Sequence, residues 1–176
     1  MKTISENLAL EKLAKIRERF RAAIAIGFEH KAKSCTTCDT PGACCLDEHF
    51  VNVRISRLEA VAIGNVIRRL PPERQRSLAA KIDDAIERYG LVETNGDPAK
   101  TFACPLYEKG TGCLVHAEAK PVPCIQHACY ENAADLPPDE LLDAAEADVD
   151  RLNRGTYRSP QPFLPIPLAV KPFGTR

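Results

Sequence analysis

Several signals that would settle a function class early are missing from this chain. No uninterrupted apolar run opens it: the stretch from Leu8 to Ile26 is broken by Glu11, Lys12, Lys15, Arg17, Glu18, Arg19 and Arg21. Neither a secretory signal peptide nor a membrane span is therefore expected. Charge of one sign is not in excess, with 24 lysines and arginines against 24 aspartates and glutamates, which points away from nucleic acid or an anionic membrane as the main partner. Basic stretches interleaved with aromatics are absent, as are the P-loop and dinucleotide-binding glycine patterns. There is no internal repeat of fixed period, and strand-like and helix-like segments do not alternate as a parallel sheet would require.

What the chain has in quantity is cysteine, eight residues in 176. Cys35, Cys38, Cys44 and Cys45 form an early group around a turn carrying Pro41 and Gly42; Cys104, Cys113, Cys124 and Cys129 form a late one. The Cys35-x-x-Cys38 spacing lets two sulfurs face one point, which soft metal ions favour because thiolate is a soft, charged donor. In an exported chain eight cysteines would suggest four disulfides, but the missing export signal implies a reducing, cytoplasmic setting, where metal ligation is the better reading. A bond between the neighbours Cys44 and Cys45 would also force a strained ring.

At this length the chain suits one domain with extensions, able to bury a core without covalent staples. Residues 5–32 place Leu10, Leu13, Ile16, Phe20 and Ile24 at helical spacing, which predicts a long amphipathic helix. Residues 50–55 alternate in part and predict a short extended segment. Ser56-Arg-Leu-Glu59 is a capping box ahead of Val61, Ile63, Val66, Ile67 and Leu70. A second helix follows from Pro72 to Tyr89, with Gly90 as its C′ residue. Residues 91–132 read as a metal-held loop. Pro137 and Pro138 open a last helix to about Asn153, with Asp139 and Glu140 at its start and Gly155 beyond its end. Prolines 160, 162, 165, 167 and 172 predict an extended tail, apolar enough to lie on its own body or on a partner.

The late cysteines sit in Cys104-Pro-Leu-Tyr-Glu-Lys-Gly-Thr-Gly-Cys113-Leu-Val-His116, where Gly110 and Gly112 permit a tight reversal, and in Lys120-Pro-Val-Pro-Cys124-Ile-Gln-His127-Ala-Cys129. The order Cys-x-x-Cys, Cys-Cys, capped Glu-containing helix, Cys-Pro-Leu, Gly-x-Gly-Cys and Lys-Pro-x-x-Cys-x-x-x-x-Cys resembles the YkgJ-like cysteine-cluster (CxxCxxCC) family, described as zinc- or iron-chelating. The resemblance spans Cys35 to Cys129. It departs from the family at the five residues between Cys38 and Cys44, at Lys120 and at Ile125. The resemblance implies metal binding without implying a reaction. Larger proteins with a similar cluster, flagellin lysine methylases among them, look like iron-sulfur proteins, so zinc, iron and an iron-sulfur cluster all stand as expected cofactors.

The expectation is thus a mainly α chain, a small helical domain with irregular cysteine-rich loops converging on a metal centre. Residues 1–34 form its N-terminal helix, 35–155 its cysteine-cluster domain and 156–176 its extended tail. All eight cysteines are candidate ligands. His49, His116 and His127 could each replace a sulfur in a mixed site, against a surface or supporting role. His30 is better placed to meet the dipole of the first helix. In extended backbone Cys44 and Cys45 would point to opposite sides and could serve different centres. Closely spaced thiolates also suit Cu(I). Asp47 and Glu48 lie beside the early group, most simply as solvated acids, and no residue stands out as catalytic. The first helix and the tail are the surfaces a protein partner would use.

Overall fold

The computed structural model describes residues 3–33, 42–46, 51–94, 96–97, 99–158 and 160–174. Six α-helices and six two-residue strands occur among them: α1 (Glu6–Gly27), β1 (Ala32–Lys33), β2 (Arg54–Ile55), α2 (Arg57–Ile67), α3 (Pro72–Arg88), β3 (Tyr107–Glu108), β4 (Gly112–Cys113), α4 (Val122–Gln126), β5 (Cys129–Tyr130), α5 (Asp139–Tyr157), β6 (Leu164–Pro165) and α6 (Ile166–Gly174). The fold is mainly helical, and the strands form three isolated antiparallel pairs, β1 with β5, β2 with β6 and β3 with β4. Among the described residues no helix is long and apolar enough to cross a membrane.

The chain divides into two compact units, Met1–Pro41 with Lys120–Gln161 and Gly42–Ala119 with Pro162–Arg176. These boundaries cut across the helix, cysteine domain and tail expected in succession. Each unit joins two stretches that are distant in sequence.

In the first unit α1 packs on α4 and α5. Ser5 caps α1 by accepting the Leu8 N–H at 3.4 Å. The buried face runs Ala9, Leu13, Arg17, Phe20 and Ile24, so Leu10 and Ile16 of the expected stripe sit half-buried beside it. Helix α5 continues past Gly155 to Tyr157 and ends at Arg158 in the left-handed region (φ 60°). The glycine expected to stop the helix lies inside it, where the Ile4 N–H donates to the Gly155 carbonyl at 3.2 Å and a Cβ would meet Ile4 Cδ1 at 3.4 Å, an ordinary contact.

In the second unit the capping box of α2 is complete. The Ser56 hydroxyl accepts the Glu59 N–H at 3.2 Å, and the Glu59 carboxylate accepts the Ser56 N–H at 3.0 Å and the Ser56 hydroxyl at 2.9 Å. Helix α3 ends with Gly90 at φ 57° and a Leu91 N–H to Ile86 carbonyl bond of 3.0 Å, closing the last turn.

The tail is not extended throughout. After β6 it turns into α6, which packs on α2 and α3 and buries Ile166, Leu168 and Val170. Pro167 is tolerated in the first turn, where its missing N–H has no helical partner to lose. Pro172 sits inside the helix, where burial of the apolar face outweighs its low propensity. Gly64 admits this helix, since a Cβ there would run into the Phe173 ring. The tail's apolar residues are thus occupied by the chain's own second unit.

Candidate metal centre

Four of the eight cysteines, Cys44, Cys45, Cys104 and Cys113, lie within the second unit. Cys44 and Cys45 lie in a 3₁₀ turn, Ala43–Cys45, closed by the Cys45 N–H on the Gly42 carbonyl at 2.8 Å. This corrects the extended reading of the pair: at three residues per turn, neighbouring side chains are about 120° apart rather than opposed, and the two thiols face each other in a hydrogen bond. Gly42 has φ 81°, and a Cβ there would collide with the Tyr107 ring. Only glycine lets this turn lie against β3.

The late cysteines of the same unit are tied directly to that turn. The Cys104 N–H donates to the Cys45 carbonyl at 2.9 Å. The β3–β4 hairpin, with Gly110 at φ 85° and Gly112 at φ 95°, places Cys113 opposite Tyr107, three residues after Cys104. A Leu114 N–H to Leu106 carbonyl bond of 2.9 Å holds the other side. The reversal read from the two glycines is present at that position.

Burial and like charge both oppose ionisation of these thiols. The Cys45 thiol is held far above its ordinary range by the Cys44 thiol first, then by burial, then by the like charges of Cys44, Cys104 and Cys113. Burial pushes Cys104 up to about 12, with Cys113 and Cys44 adding to it, while the backbone N–H groups of Leu106 and Tyr107 pull the other way. Those N–H groups matter because donors near a sulfur favour its thiolate, although the Tyr107 N–H itself closes a turn on the Cys104 carbonyl at 3.1 Å. Sequence reasoning missed them, although Pro105 directly after Cys104 marks a fixed turn.

The first unit carries Cys124 in α4 and Cys129 in β5, both half-buried. Cys129 lies opposite Lys33 in the β1–β5 pair. His127, between them, is half-buried, and burial followed by the Lys120 charge lowers its pKa, keeping the imidazole neutral near pH 7. Cys35, Cys38, Asp47, Glu48 and His49 lie outside the described residues. His116 is exposed in the second unit, its N–H donating to the Cys113 carbonyl at 3.1 Å, and His30 is exposed in a 3₁₀ turn after α1.

None of the six described cysteines is in a disulfide. As the side chains stand, no group of three or more His, Cys, Asp or Glu among the described residues is set to hold an ion. The donor type nevertheless suits a thiophilic metal, since the second unit carries four thiols, on the Gly42–Cys45 turn, at Cys104 and on the hairpin. A cavity of about 430 Å³ adjoins them, walled by Arg74, Ser77 and Lys81 of α3 and by Tyr107, Thr111 and Cys113 of the hairpin. No family model, curated protein or solved structure matches the chain.

Proposed function

We propose that this chain binds zinc or iron through its clustered cysteines, with a structural or regulatory effect, in the reducing setting of the cytoplasm. The observation that carries the reading is the tie between the Cys44–Cys45 turn and Cys104, whose N–H donates to the Cys45 carbonyl at 2.9 Å, with Cys113 on the hairpin that follows. Four thiols crowded together oppose one another's ionisation, and a bound dication reverses that opposition by pairing with every sulfur at once. A zinc ion held by four thiolates has no open position, and its effect is to fix the loops that carry the ligands. With four thiolates and one dication the centre carries a formal charge of about −2.

The same backbone donors support a second reading from another class, an iron-sulfur redox protein or accessory subunit acting on a protein or peptide. Hydrogen bonds to cysteine sulfur are among the levers that set a cluster's potential. Elemental analysis of anaerobically purified protein, run with its visible spectrum, separates the two. Stoichiometric zinc in a colourless sample supports the first reading, and brown protein with iron and acid-labile sulfide supports the second. Metal-free protein whose thiols titrate as oxidised pairs overturns both.

A further inference from the structure

We propose that the cavity between α3 and the β3–β4 hairpin holds a short apolar peptide with free ends, its amine on Glu73 and its carboxylate on Lys81. This site is separate from the metal reading and makes no use of the thiols.

The cavity measures about 430 Å³ and lies wholly within the second unit, a volume in the range of small-ligand sites. Its position follows from the packing of α3. That helix gives the face carrying Ala79 and Ile82 to α6, and a neighbouring stripe, Glu73, Arg74, Ser77, Leu78 and Lys81, looks across open space to the hairpin. Most of the lining is apolar: Leu78, Pro105 and Leu106 are buried, and Leu70 and Leu114 are half-buried.

Charge sets the chemistry of the occupant. Arg74 is bonded to Glu108 at 2.8 Å, so these two neutralise each other while tying helix to hairpin. Among the described residues neither Glu73 nor Lys81 forms an ion pair, which leaves one acid and one base on the wall. They stand eight positions apart on α3, about 12 Å along its axis. A ligand that answers both carries a cation at one end, an anion at the other and an apolar middle. An extended peptide of about four residues spans roughly 13–14 Å between its ends, and Ser77, midway along the stripe, offers a hydroxyl to its backbone. A fatty acid would satisfy Lys81 and leave Glu73 facing an apolar end.

The test is methyl NMR on the leucines of the full chain, with the tetrapeptide Ala-Leu-Leu-Ala as probe. Titration is expected to shift the Leu78, Leu106 and Leu114 methyl signals. N-acetylation and C-amidation of the peptide should each weaken binding about 2–5-fold, the scale of one exposed ion pair. Lys81→Gln should make binding indifferent to amidation and still sensitive to acetylation, and Glu73→Gln should do the reverse. Both positions are exposed, so either variant keeps the fold. Octanoate binding as well as the peptide, doubly capped peptide binding as well as the free one, or no methyl shift at these leucines overturns the proposal and leaves the metal reading standing.

Discussion

The contact between Gly42 and Tyr107 offers a quantitative test of how the two cysteine loops are joined. Gly42→Ala adds a Cβ at φ 81° that would occupy the space of the Tyr107 ring. Two costs follow. A left-handed conformation for a residue with a Cβ costs roughly 1–2 kcal/mol, and displacing a packed ring is an overpacking cost of about 1–3 kcal/mol. Together they predict destabilisation of about 2–5 kcal/mol for metal-free protein in urea unfolding followed by circular dichroism. The two parts separate in a double-mutant cycle. In a Tyr107→Ala background the ring is gone, so Gly42→Ala should cost only the backbone part, and the coupling between the sites should be about 1–3 kcal/mol. Because the turn also positions Cys45 beneath the Cys104 N–H, Gly42→Ala should weaken zinc binding more than it weakens folding. An equal cost for Gly42→Ala in both backgrounds would refute the reasoning, since the loops would then not meet at this ring.

Three further outcomes are expected. Glu59→Ala should destabilise the chain by about 2–4 kcal/mol in chemical denaturation, because it strips the partners of a buried N–H and a buried hydroxyl on fully buried Ser56. Gly155→Ala should be neutral or stabilising by up to about 1 kcal/mol in thermal unfolding, since the new Cβ would touch only the flexible end of Ile4 and alanine is the better helix former. Asp148, bonded to Arg151 and Arg19 at 2.7 Å each, has its pKa held below the ordinary 3.8, first by the Arg151 hydrogen bond. Its folded pKa is depressed, so its contribution is present above the unfolded value and lost as pH falls through the folded one. Asp148→Asn should therefore cost at most about 0.5 kcal/mol at neutral pH, since the arginines are largely exposed, and nothing well below pH 3.8.

The parts of the fold that were legible were those decided by local chemistry. The Ser56–Glu59 box, the Gly90 stop and the Gly110–Gly112 reversal each depend on a few consecutive residues, and each occurs where the residues require it. The parts that were not legible depend on packing between distant stretches. Pro167 and Pro172 argue for an extended tail until α2 and α3 offer α6 a surface to bury against. Gly155 reads as a helix stop, but the helix runs past it to Tyr157 and the left-handed residue is Arg158, with the Ile4 N–H docked on the Gly155 carbonyl. The apolar stripe of α1 was placed one residue off at two positions, because Arg17 is buried on a face where spacing alone favours Ile16.

For the candidate site, the sequence named the cysteines and expected the early and late groups to converge, without dividing the sulfurs between sites. The fold places Cys44, Cys45, Cys104 and Cys113 in one unit. The tie between the loops depends on the Cys104–Cys45 backbone bond and the Tyr107 ring over Gly42, neither of which leaves a spacing pattern.

The most direct test of the central claim is X-ray absorption at the metal edge of protein purified without added metal. The account predicts a zinc or iron edge with a first shell of four sulfurs, at about 2.3 Å for zinc. A first shell of oxygen and nitrogen, or no metal edge at all, would contradict it.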